Sequence, residues 1–201
     1  MSRVPRRTQD ERREATIAKL LDATIACLVE CGYRDTSISR ICERAGVSQG
    51  GLFRHFDSRT ALMVATTAEI GMRHLAQLRE LVDGPGVDKE QLDVIVRYFR
   101  AATRDPITAA WREVLVAART NEELRLAVVP AVQGLEEGIM GLATLIVGDG
   151  ERARPLGTLF LSLLHMFDSE ATTSSILCTE DVEELRHAWA VEALGAALSS
   201  V

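Results

Sequence analysis

The stretch GYRDTSISRICERAGVSQGGLFRHFDSRTAL, residues 32–62, decides the fold. Ser37 stands where a helix N-cap belongs, Ile38 to Ala45 reads as a short helix, and Gly46 ends it with a residue that enters a left-handed turn at no steric cost. Ser48 can cap a second helix running to His55. Two short helices around a tight glycine turn, with Ile38, Ile41, Ala45, Val47 and Leu52 as apolar contacts, predict a helix-turn-helix; an ordinary αα-hairpin satisfies the same pattern. The adjacent Gly50 and Gly51 run against helix propensity, at roughly 1 kcal/mol each relative to alanine. Glycines in such a place suggest a backbone that comes close to a phosphate.

Helical periodicity extends in both directions. Ile17, Leu20, Leu21, Thr24, Ile25 and Leu28 lie on one face of an amphipathic helix that Thr8-Gln9-Asp10-Glu11 opens with capping-box spacing and Cys31-Gly32 closes. After Ser58, a helix cap, one long helix runs through Leu81, and DGPG at 83–86 breaks the chain. Helices are predicted from Val87 to Arg104, Pro106 to Arg119 and Asn121 to Val147, the last with Thr120 as first residue of a capping box and a kink at Pro130. Two more run from Arg154 to Phe167 or beyond and, capped by Thr179, from Glu180 to Leu198. No strand-like alternation persists, so the chain is all-α, with about nine helices.

Composition sets bounds on function. With 201 residues and 47% hydrophobic content the chain can bury a substantial core. No continuous apolar run reaches the roughly 18 residues of a membrane span. The basic amino terminus has no apolar segment of the secretory kind, so a cytoplasmic location is expected, with no membrane partner. Net charge is −6, yet 11 of the 23 Lys+Arg and only 8 of the 29 Asp+Glu lie at or before Thr60. A basic amino-terminal segment on an acidic body is what a protein needs when one end meets a polyanion. Arg3, Arg6 and Arg7 form an arm able to reach a minor groove; a solubilising tail has the same composition.

Catalytic signatures are missing. SQGG lacks the Gly-Lys-Ser/Thr that completes a P-loop, and no metalloprotease, dinucleotide or hydrolase motif occurs. His55, His74, His165 and His187 are scattered, and His165 with Asp168 at i, i+3 reads as a hydrogen-bonded pair. Cys27, Cys31, Cys42 and Cys178 contain no C-x-x-C pair; Cys27 and Cys31 could share a metal, but no histidine cluster completes a site. Neither an enzyme nor a metal or other cofactor is expected.

Read as DNA-contacting, the basic segment is coherent. Helix N-termini at Ser37 and Ser48 offer backbone N–H groups to a phosphate, and Thr36 lies at the first of them. Arg44, Arg54, His55 and Arg59 are spaced to flank these ends. Gln49 can pair with adenine, Arg54 with phosphate or guanine, and Gly50 and Gly51 remove bulk where a helix enters the major groove.

The segment resembles the DNA-binding domain of the TetR family of transcriptional repressors, matching its pattern at Gly32, Tyr33, Thr36, Ser37, Ile41, Ala45, Gly46, Val47, Ser48, Gly50, Leu52, His55, Phe56 and Ser58. The resemblance implies a DNA-binding helix-turn-helix domain over 1–57 and an effector-binding and dimerisation domain over 58–201. It implies that Thr36 and Ser37 hold phosphate, and that Ser48, Gln49, Gly50 and Gly51 lead the recognition helix. Phe53 stands where the family usually has a phosphate-binding tyrosine, and Arg59 replaces a lysine. It further implies a double-stranded operator, a small-molecule effector and a homodimer through the last two long helices. Residues 156–167, apolar nearly all round, fit a helix with partners on two sides, its own domain and a second subunit; a central core helix in a monomer is the alternative. Met72, Tyr98, Phe99, Trp111, Glu137, Met140 and His165 lie on helices that would surround a pocket, although core packing explains each as well. Gly134, Gly138 and Gly141 allow either close packing or room for a ligand. The contrasting reading is a helical small-molecule-binding or interaction module that has lost DNA binding, which Phe53 and the overall charge favour.

Overall fold

The computed structural model describes residues 8–82, 86–174, 176–177 and 180–199. The arm arginines, Asp83 to Pro85, Cys178 and Thr179 lie outside them. Among the described residues there are nine helices and no strand: α1 (Gln9–Asp35), α2 (Ile38–Ala45), α3 (Gln49–Leu52), α4 (Arg59–Glu80), α5 (Lys89–Arg104), α6 (Pro106–Ala118), α7 (Glu122–Val147), α8 (Ala153–Ser174) and α9 (Glu180–Ser199).

The helix ends follow local chemistry. Thr8 closes a reciprocal capping box with Glu11, and Asp88 closes another with Gln91. Ser58 Oγ accepts the Ala61 N–H at 3.0 Å and so starts α4. Two expectations need correction. The cap of α7 is Asn121, whose Oδ1 accepts the Leu124 N–H at 3.0 Å, not Thr120. α7 carries Pro130 inside it. α3 ends at Leu52 rather than His55, because His55 N–H turns back to Leu52 O at 2.9 Å and tightens the chain into a turn. With two glycines in four residues there is little to propagate the helix.

The chain forms two compact units. One contains the residues up to Glu69 together with Ala109–Val129, so α1–α3, the first half of α4, most of α6 and the start of α7 belong together. Leu20, Leu28, Ile41, Leu52, Leu62, Met63, Val114 and Leu124 are among its fully buried apolar residues. The other contains Ile70–Thr108 and Pro130–Val201. Its core gathers Ile95, Val96 and Phe99 from α5, Ile139, Leu142 and Ala143 from α7, Phe160, Leu163 and Phe167 from α8, and Ala190 and Leu194 from α9. Phe99 and Phe160 rings sit 5.8 Å apart at its centre. Gly138 permits close packing in this unit, since a Cβ there would fall 2.3 Å from Leu75 Cδ1.

By length and composition α7 is apolar enough to cross a membrane, with mean hydropathy 1.2 over its best 18 residues. Leu124 and Val128 are buried in the first unit and Ile139, Leu142, Ala143 and Ile146 in the second, whereas Leu126, Val129 and Leu145 are exposed.

Candidate nucleic-acid interface

The interface is built on the junctions between α1, α2 and α3. Gly46 takes φ 65°, ψ 33°, a left-handed conformation, and Gly46 and Val47 N–H groups donate to Glu43 O and Cys42 O at 3.3 and 3.0 Å. This closes α2 and aims the chain into α3.

Each of the two short helices begins at an exposed serine. Ser37 Oγ accepts the Arg40 N–H at 3.2 Å, and Ser48 Oγ accepts the Gly51 N–H at 3.1 Å. A hydroxyl that accepts still has its own proton to donate, so both caps remain able to bind an anionic oxygen. Gln49 and Gly50 are exposed, and a Cβ at Gly50 would meet nothing within 4 Å. Arg54 is exposed, its Nε 3.4 Å from Gly50 O. Phe53 is 47% exposed, a benzyl ring held in water beside these donors.

Ser37, Ser39, Arg40, Glu43 and Arg44 line an open depression of about 710 Å³. Ser39 and Arg40 were absent from the sequence-based set. The signal for Arg40 was present in its i, i+4 relation to Arg44, which places both guanidiniums along one face of α2. Arg44 itself is paired with Glu30 of α1, and that hydrogen bond holds it more firmly in its charged form.

Other expected contacts have different work. Thr36 is fully buried, and its hydroxyl donates to Gly32 O at 2.7 Å, so its side chain is spent on the α1–α2 junction and does not face a phosphate. Arg59 donates from Nε to Thr36 O at 3.1 Å and from Nη2 to Tyr33 O at 2.5 Å. Its Cζ lies 4.2 Å from the centroid of the Tyr33 ring. It is an internal clamp. Gly51 is buried: a Cβ there would meet Val47 Cγ1 at 2.9 Å and Ser48 Oγ at 3.2 Å. Close packing inside the turn leaves no room for a side chain at 51. His55 is half-buried, and its Nδ1 is enclosed without a hydrogen-bond partner. Burial pushes the thiols of Cys27 and Cys42 up, which keeps them protonated and unreactive.

The expected pocket residues are divided between the two units. Trp111 belongs to the first unit and is 9% exposed. In the second unit Phe99 is a core residue, whereas Met72, Glu137 and His165 are exposed and Tyr98 and Met140 are half-buried. The polar cluster around Tyr98 went unread in the sequence. His74 Nε2 lies 2.9 Å from Thr108 Oγ1 and Nδ1 lies 3.3 Å from Tyr98 Oη, which donates to His74 O and Gln77 Oε1 at 3.0 and 3.1 Å. Burial pushes the Tyr98 phenol up to about 12 and the His74 imidazole down.

Known proteins match both the interface and the whole chain. Residues 20–66 match the model of the bacterial regulatory proteins of the tetR family. An uncharacterized HTH-type transcriptional regulator of Mycobacterium tuberculosis is 32% identical over 189 residues, covering 90% of this chain and 93% of the relative. The fold is shared with a protein of Mesorhizobium loti provisionally described as a TetR-family transcriptional regulator, at TM-score 0.70 and 19% identity over 92% of this chain and 97% of that one. It is shared also with the regulator FadR of Bacillus subtilis in complex with stearoyl-CoA, at TM-score 0.61 and 19% identity over 92% and 98%. Two capped helices around a left-handed glycine, in a sequence related along almost its full length to such a regulator, place this chain in the tetR family of helix-turn-helix transcriptional regulators.

Proposed function

We propose that the protein acts as a cytoplasmic homodimer that represses transcription from a pseudo-palindromic double-stranded operator until a small-molecule effector releases it. The observation that carries this reading is the pair of exposed helix starts at Ser37 and Ser48. Their hydroxyls retain protons to donate, and Arg40 and Arg54 add positive charge beside them. Phosphates are contacted by Ser37, Ser48, Arg40 and Arg44; Gln49 and Arg54 read base edges. With Gly50 open and Gly51 packed inward, few side chains remain to read sequence, so DNA shape contributes to specificity.

Dimerisation through α8 and α9 is supported by Val182, Leu185 and Trp189, which follow i, i+3, i+7 on α9 and are 45%, 70% and 54% exposed. Two recognition helices on a two-fold axis then meet half-sites about 34–36 Å apart. The effector binds within the second unit and is apolar or amphipathic. The stearoyl-CoA complex of FadR, whose fold is similar, supports that class. It releases DNA only if it binds the DNA-incompetent state more tightly.

A salt titration of the protein on the promoter next to its own gene tests the reading. The logarithm of the binding constant is expected to fall linearly with log salt, and binding to be lost on Arg40→Ala with Arg54→Ala. No sequence-specific shift at low salt would sink it.

A further inference from the structure

The junction between α1 and α2 turns on two residues. Gly32 interrupts α1 with φ 71°, ψ 176°, a conformation that favours glycine, and Tyr33 follows it. The polar groups of this dipeptide are held by three side chains. Thr36 Oγ1 donates to Gly32 O at 2.7 Å, Arg59 Nη2 donates to Tyr33 O at 2.5 Å, and Glu113 Oε2 accepts the Tyr33 N–H at 2.9 Å. Thr36 caps the end of α1 and Arg59 opens α4, so both flank α2 and α3. Glu113 lies on α6, 80 residues from its partner.

That placement has a mechanical meaning. α6 begins in the second unit, where Thr108 Oγ1 meets His74 Nε2 at 2.9 Å, and from Ala109 onward it belongs to the first. Glu113 therefore stands on the part of α6 that packs with the amino-terminal helices. The carboxylate also crowds the junction, because a Cβ at Gly32 would lie 2.8 Å from Glu113 Oε2.

We propose that Glu113 is a positioning residue for DNA binding: its carboxylate holds the Gly32–Tyr33 turn in the angle at which α2 and α3 can engage DNA, and so makes that angle depend on α6. The proposal rests on the reading of the chain as a DNA-binding regulator.

The sign of one substitution separates this role from plain electrostatics. Removing an acidic side chain from a DNA-binding protein, by charge alone, tightens DNA. The clamp demands the opposite. In fluorescence anisotropy with the full-length protein and a labelled fragment of its own promoter, Glu113→Ala is expected to weaken binding roughly tenfold, the factor that about 1.4 kcal/mol represents. Glu113→Gln, whose amide oxygen still accepts the Tyr33 N–H, is expected to bind as the native protein does or more tightly. Native-like or tighter binding by Glu113→Ala overturns the proposal, as does an equal loss in Glu113→Gln.

A second measurement needs no DNA. By NMR hydrogen exchange the Tyr33 amide is expected to be protected in the native chain and in Glu113→Gln, and to exchange about tenfold faster in Glu113→Ala, for the same free-energy change. Unchanged exchange overturns the clamp. A native protein that ignores the promoter refutes the regulator reading instead, and with it the role in DNA binding, while the exchange experiment still decides the contact.

Discussion

The two units use arginine in opposite ways. Near the helix-turn-helix, Arg40 and Arg54 stand exposed, and Arg44 is tied only to a surface glutamate. In the other unit Arg100, Arg104 and Arg186 converge on Glu170, whose side chain is 1% exposed, at 3.2, 2.8 and 3.2 Å. Arg100 and Arg104 also bind Glu183, at 2.5 and 2.8 Å. Arg40 and Arg54 are available to a ligand, whereas Arg100, Arg104 and Arg186, themselves partly exposed, meet on buried carboxylates and join α5, α8 and α9. The difference predicts where a lost charge unfolds the protein and where it changes only binding. Glu170→Ala removes the buried carboxylate on which three partly exposed guanidiniums converge, two of which keep Glu183, and losing such charge-assisted hydrogen bonds costs about 1–3 kcal/mol. Urea unfolding is expected to show that loss, and little change for Arg44→Ala. Equal midpoints for the two variants would erase the distinction.

The adjacent glycines sharpen the contrast on a smaller scale. Gly50 faces open space, and alanine there removes unfolded-state freedom, a gain of about 0.4–1 kcal/mol. At Gly51 the same methyl meets the β-branched Val47 at 2.9 Å, and overpacking costs about 1–3 kcal/mol. Thermal unfolding of Gly50→Ala and Gly51→Ala is expected to shift in opposite directions. Matching shifts would mean that the turn relaxes freely around residue 51.

That pair also shows where sequence reading stops. Caps at Thr8, Ser37, Ser48 and Ser58, and the left-handed Gly46, are decided by residues within three or four positions, so they are legible along the chain. Which way Gly51, Thr36 and Arg59 face is decided by partners elsewhere: Val47 across a turn, Gly32 at the end of α1, Tyr33 at a separation of 26 residues. The family pattern marks these positions as important without saying whether they serve DNA or the fold. In the body, Glu170 and Glu183 look like ordinary helix-surface acids until α5 supplies the arginines. Phe99 and His165 could not be sorted into core and surface by periodicity alone.

Within the interface, Arg40 and Arg59 set binding against structure. Arg40→Ala removes one phosphate contact, so the slope of log affinity against log salt is expected to become shallower by about 0.9 with stability unchanged. Arg59→Ala leaves Tyr33 O and Thr36 O without their donor and is expected to lower the unfolding midpoint first. If Arg59→Ala instead changes the slope at native stability, the clamp assigned to it is wrong.

The smallest effect is expected at Phe53. Its ring is 47% exposed beside Ser48 and Arg54, so adding a hydroxyl requires no repacking. A new hydrogen bond to phosphate is worth about 0.5–1.5 kcal/mol, which caps the gain at roughly tenfold in operator affinity. Phe53→Tyr is therefore expected to tighten binding modestly or leave it unchanged, measured by anisotropy on the same promoter fragment. A large loss would mean that the ring already packs against DNA through its apolar edge, where a hydroxyl is buried without a partner. The exposed benzyl group would then be a contact in its own right, and the missing phenol would mark a change of partner atom rather than a weakened site.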